Sequence, residues 1–204
     1  VQTGPMQMQE KLDRSSIVFG VDCERCHGPA RQHAEYQESH PQVKEAKYIV
    51  SIKSLPRARR MDLCSMCHSG NDQATQRTLF AFVPGDTLSH FLEPDFGGVQ
   101  HPDPDVHGKQ AQLLMASACY QKSGLTCMTC HDAHRAGEEK MTAFVSKCMD
   151  CHAGSTHANA MVKDPRCIDC HMPLQTSKAI YFNNGSESKN IPYLIRTHKI
   201  AIYQ

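Results

Sequence analysis

The chain has 204 residues, 22 Lys and Arg against 21 Asp and Glu, a formal net charge of +1, 6% aromatic residues and no Trp, with a mean hydropathy of −0.50. That balance leaves no strongly basic face for nucleic acid. No segment reaches the roughly 20 apolar residues of a transmembrane helix, and apolar side chains are scarce for a conventional core of this size.

Residues 1–22 read as an N-terminal arm, weakly helical over 6–12 and extended over 15–21. Cys23-Glu-Arg-Cys26-His27 follows, the first of five Cys-x-x-Cys-His motifs; the others are Cys64 to His68, Cys127 to His131, Cys148 to His152 and Cys167 to His171. A helix is expected from Pro29 to Ser39, with Pro in the first turn where its missing N–H is harmless. A second runs from Pro56 to His68 and ends at Gly70. Residues 70–106, rich in Pro and Gly, read as a long wrapping loop. The strongest helical pattern is Lys109 to Lys122, stopped by Gly124, and another runs from Met141 to His152, stopped by Gly154. The tail, 191–204, alternates loosely and reads as extended.

Cys-x-x-Cys-His is the attachment pattern of c-type haem. Two thiols become thioethers to the haem vinyl groups and the histidine supplies a nitrogen to iron. Positions 1, 4 and 5 share one helical face, so a single turn offers both sulfurs and the imidazole. With 11 Cys and 13 His, a shuffled chain would hold about 0.04 such motifs. A zinc ribbon, a disulfide framework or a thioredoxin-like pair would not require the histidine each time.

The cofactor set is therefore five c-type haems, attached at Cys23, Cys26, Cys64, Cys67, Cys127, Cys130, Cys148, Cys151, Cys167 and Cys170. Their irons would be held by His27, His68, His131, His152 and His171. Five porphyrins would supply the missing apolar bulk, so the expected fold is mainly α with extensive coil, a haem stack as core and little or no β-sheet. The whole chain, 1–204, would be one pentahaem domain that does not fold without haem. Two propionates per haem would take the net charge to roughly −4 oxidised and −9 reduced.

Eight histidines lie outside the motifs, enough to cap every iron on its second face. His33, His107, His134, His157 and His198 are the better placed; His90 and His101 are reserves, and His40 looks like a helix end. Ten methionines also offer ligands, but Met115 and Met172 read better as filling against porphyrin. Cys119, the odd thiol, reads as a small apolar residue on its helix. Arg57, Arg59 and Arg60 read as a solvated helix face or as propionate partners. Tyr181 and Tyr193 read as packing residues.

Covalent haem attachment takes place outside the cytoplasm. No basic-then-apolar signal segment opens at Val1, so the expectation is an exported, processed chain in the periplasm or outside the cell.

Cys26-His-Gly-Pro-Ala-Arg-Gln-His33, Ser117-Ala-Cys-Tyr120 running into Leu125-Thr-Cys-Met-Thr-Cys-His-Asp-Ala-His134, Cys170-His-Met-Pro173 and Arg196-Thr-His-Lys-Ile200 resemble a known group. It is the multihaem cytochromes related to the tetrahaem cytochrome of ammonia oxidisers and to hydroxylamine oxidoreductase, over most of residues 20–200. The resemblance implies electron transfer through bis-histidine haems, with distal ligands at His33, His134 and His198. His157 follows with less of the pattern, and His107 by position alone. It also implies redox protein partners and, since related cytochromes polymerise into extracellular filaments, self-association into a homopolymer. The alternative within the group is a haem enzyme acting on nitrite or hydroxylamine at one open iron. All five motifs end in His, so the Cys-x-x-Cys-Lys of pentahaem nitrite reductase is absent, as are the N-terminal haems and helical arrays of many relatives.

Overall fold

The computed structural model describes residues 15, 20–69, 77–92, 109–135, 140–154, 166–183 and 190–203. Backbone contacts group the chain into two compact units, Val1–Ser51 and Ile52–Gln204.

In the first unit, helix α1 (Cys23–His27) starts at Asp22, whose carboxylate accepts from Arg25 N at 3.0 Å, the usual service of an N-cap aspartate. It stops at Gly28, which adopts φ +77° and returns its N–H to the Glu24 carbonyl at 2.8 Å. Helix α2 spans Arg31–Ser39. Pro29 was expected in its first turn but falls just before the cap, because the Glu24 carboxylate takes the Ala30 N–H at 2.8 Å. His40 ends α2 as expected, its ring stacked on Tyr36 at 4.3 Å. None of the buried hydrophobic side chains belongs to the described residues of this unit.

The second unit carries the core. Helix α3 (Arg57–His68) begins after Pro56 as predicted and buries Met61, Leu63 and Met66. Against it pack α4 (Gln110–Met115), which buries Leu113 completely, and a 3-10 turn at Leu88–His90. The expectation of a wrapping loop over 70–106 needs correction. Its described part, 77–92, folds into two 3-10 turns and contributes Phe82, Leu88, Phe91 and Leu92 to the core. Phe82 and Phe91 meet edge to face at 5.5 Å. Residues 70–76 and 93–106 lie outside the described set, as does most of the arm.

The predicted long helix over 109–122 is two helices, α4 and α5 (Ala118–Lys122). Ser117 breaks it: its backbone is extended (φ −78°, ψ 141°) and its hydroxyl is used elsewhere. Ser competes with helix geometry by bonding backbone groups. Next come α6 (Cys127–Cys130), opened by a reciprocal capping box between Thr126 and Thr129, and α7 (Met141–His152), which matches its predicted span. Last is α8 (Cys167–His171).

An antiparallel ribbon follows, β1 (Leu174–Asn183) with β2 (Asn190–Arg196). Its register runs from Leu174 opposite Arg196 to Asn183 opposite Asn190, with an irregularity between Thr176 and Tyr181. Pro192, with no N–H to give, pairs beside that break. The mainly α architecture with coil holds. The ribbon is the departure from little or no sheet: β2 fits the extended tail, whereas β1 was not foreseen. Among the described residues no helix is long and apolar enough to cross a membrane.

Candidate haem-attachment and iron-ligand sites

The helical placement of the motifs holds throughout. Motif 1 is α1, motifs 2 and 4 end α3 and α7, motif 5 is α8, and motif 3 is α6 with His131 as its C-cap. All eleven cysteines are described and none is in a disulfide. Cys23, Cys67, Cys151 and Cys170 are exposed and the remaining motif cysteines half-buried, so motifs 1, 2, 4 and 5 each present an exposed cysteine and motif 3 does not.

Thiols of different motifs lie close together. Those of Cys64 and Cys127 are close enough to shift each other's titration, Cys64 upward and Cys127 downward. Cys127 also approaches the Met61 sulfur at 3.9 Å. Burial raises Cys130 and Cys148, and Cys148 feels in turn Cys167, Cys130 and Cys119. Motifs 2 and 3 therefore meet through their first cysteines, and motifs 3, 4 and 5 form a second group. Cys119, half-buried on α5, belongs to that group rather than standing apart.

The histidines divide by how their rings are held. His27 Nδ1 lies 2.8 Å from the Val50 carbonyl, and Val50 N donates back to the His27 carbonyl at 3.0 Å. His171 repeats the arrangement, with Nδ1 2.8 Å from the Ala201 carbonyl and Ala201 N donating to the His171 carbonyl at 3.2 Å. His33 places Nδ1 2.8 Å from the Lys47 carbonyl. A carbonyl can only accept, so each of these rings donates from Nδ1, the arrangement that suits ligation through Nε2.

His198 is held differently. The strand-to-tail turn brings its ring to 6.0 Å from that of His131, centroid to centroid, with 28° between the planes. Its Nδ1 is shielded from solvent without a hydrogen-bond partner at bonding geometry. Burial, and then the nearby His131, lower its pKa to about 4, the Arg196 carbonyl pulling weakly the other way. The ring thus stays neutral, the form that can ligate.

The other candidates are not gathered so closely. His134 lies in a 3-10 turn with 82% of its side chain exposed, near the Asp132 carboxylate at 3.7 Å. His68, His152 and His90 are exposed. His40 is committed to Tyr36 and Ser39. His101, His107 and His157 lie outside the described residues. Among the described residues no three His, Cys, Asp or Glu side chains converge on one metal point.

The arginine run turns inward. Arg57 donates to the Tyr120 carbonyl at 2.6 Å and the Leu125 carbonyl at 3.1 Å, with its guanidinium 3.7 Å from the Tyr120 ring. Arg59 pairs with Asp62, and Arg60 donates to the Leu55 carbonyl at 3.0 Å. Sequence reasoning missed the carbonyls of Val50, Lys47 and Ala201, which no side chain advertises. It also missed Ser117 as a support, although a serine amid strong helix formers was the available signal.

No family model, no curated protein and no solved structure matches this chain.

The residues fit haem. Each motif sets two thiols and an imidazole on, or at the end of, one helical turn, the donor set that would attach haem and hold its iron, and the His198 ring stands 6.0 Å from the motif ring of His131.

Proposed function

We propose that the protein is an exported c-type cytochrome that carries electrons along five covalently attached haems. The observation that carries this reading is the pairing of His131, the histidine of a Cys-x-x-Cys-His motif, with the neutral, shielded His198 at 6.0 Å. The carbonyl-locked rings of His27, His33 and His171 support it. So does the first unit, whose described residues bury no hydrophobic side chain of their own.

When bound, haem supplies the one-electron couple. The chain's residues supply the rest. The ten motif cysteines would anchor haem, the motif histidines would hold its iron, and His33, His134 and His198, with His107 and His157, are the further residues that would ligate. Backbone carbonyls orient the rings and set their basicity. The closeness of the Cys64 and Cys127 thiols supports adjacent haems on motifs 2 and 3, and the Cys130, Cys148 and Cys167 group extends that succession to motifs 4 and 5. The partners implied are redox proteins and, from the family resemblance, further copies of the chain, outside the cytoplasm.

The test is a pyridine haemochrome count with low-temperature EPR of the air-oxidised protein. Five haems per chain with only low-spin ferric signals are expected. A stoichiometric high-spin signal would instead mark an open iron and move the assignment to a haem enzyme for small nitrogen compounds.

A further inference from the structure

The tail that presents His198 is held at one buried point. Ser117, 1% exposed, accepts from Ile200 N at 2.7 Å and donates toward the carbonyls of His198 at 3.1 Å and Leu113 at 3.2 Å. A hydroxyl has one proton and two lone pairs, so both of its roles are in use. Thr197, also 1% exposed, bonds the Pro173 carbonyl at 3.2 Å through its N–H, while its hydroxyl accepts from Lys199 N at 3.1 Å. Three residues beyond His198, Ala201 makes its two-way bond with His171. One strap of five residues thus carries one candidate iron ligand, His198, and bonds a second, His171 of motif 5. Its middle is fixed by a side chain on neither.

We infer that Ser117 is a positioning residue for iron ligation. Through one hydroxyl it fixes the strap Thr197–Ala201, which holds His198 opposite His131 at one end and the Nδ1 proton of His171 at the other. Two haem centres therefore share one support. The inference rests on the haem reading above and adds a coupling that this reading does not require. Loss of the Nδ1–H bond makes an imidazole a weaker donor to iron, so releasing the strap raises one potential while it opens another iron.

The experiment uses the haem-loaded full chain and compares the parent with His198→Ala, Ser117→Ala, Ser117→Thr and Ile200→Pro, each checked for its haem count. Ile200→Pro deletes the N–H that Ser117 accepts and leaves the serine in place, so the test does not hang on one substitution. In His198→Ala a high-spin ferric signal from about one iron in five is expected.

Ser117→Ala and Ile200→Pro are expected to give a fraction of that signal, returned to low spin by added imidazole. A second centre should shift to higher potential in a redox titration. Ser117→Thr, which keeps the hydroxyl, is expected to match the parent in both. A low-spin His198→Ala protein overturns the ligand assignment and the inference with it. High-spin His198→Ala beside unchanged Ser117→Ala and Ile200→Pro overturns the inference alone. An opened iron without a shifted second potential overturns the shared support.

Discussion

Arg57 offers the sharpest test of how the second unit is tied together. Read from the sequence it belongs to a solvated or propionate-facing basic run; in the fold it joins the start of α3, which ends in motif 2, to the segment entering motif 3. Replacing it with Ala removes charge-assisted bonds to two carbonyls, each worth about 1.5–3 kcal/mol when fully buried. It also removes a cation–π contact of about 0.5–1 kcal/mol. The side chain is only half-buried, so solvent takes over part of this, leaving about 2–4 kcal/mol. For a unit of this size that lowers Tm by roughly 5–12 °C. Thermal and guanidinium unfolding of the haem-loaded protein, followed by far-UV circular dichroism, measures it. Arg57→Lys should recover little, since an ammonium cannot reproduce the planar fork. A loss below about 0.5 kcal/mol, the range of ordinary surface substitutions, would refute the clamp and restore the solvated-face reading.

Three further substitutions probe the frame. Leu113→Ala, at a side chain with no exposure, should cost about 3–5 kcal/mol in denaturant unfolding with an unchanged m-value. Gly85→Ala should cost about 1–2 kcal/mol: the new methyl finds ordinary contact with Leu55 at 3.5 Å, but φ is +103°. Thr126→Ala breaks the capping box ahead of motif 3 and should lower stability by about 1 kcal/mol in the same assay.

The sequence revealed most where chemistry and periodicity coincide. The motifs had to sit on helical turns, and α3 and α7 carry their own start and stop residues, so their spans could be read directly. The 109–122 helix was over-extended because the pattern of Gln, Ala and Leu is strongly helical throughout, while the competing bonds of Ser117 come from a segment some eighty positions away. Residues 77–92 misled for a related reason. Prolines and glycines mark turns, yet Phe82, Leu88, Phe91 and Leu92 ride on those turns into the core. Arg57 looked solvated because three nearby arginines resemble a charged face, and its acceptors are backbone atoms at 120 and 125. The His131–His198 pairing joins residues 67 positions apart and has no local signature. The resemblance marked His198 as a candidate ligand without a partner, and only the fold sets its ring beside that of His131.

Three of the candidate ligand histidines, His27, His33 and His171, are held by backbone carbonyls rather than by side chains. In the first unit, with no buried hydrophobic side chain among its described residues, one segment ending at Val50 orients both His33 and His27 through carbonyls three residues apart. Since every residue type has a carbonyl, the identities of residues 47 and 50 matter less than the length of chain that delivers them. Lys47→Ala removes an exposed cation 5.1 Å above the Tyr36 ring and should leave both histidine bonds and the redox titration unchanged. Deleting Lys44, exposed between the Val43 turn and Lys47, shifts both carbonyls together. That variant should lose both Nδ1 bonds and move the attached centre to higher potential. If the deletion is silent and Lys47→Ala is not, the side chain orients these rings and the carbonyl account fails.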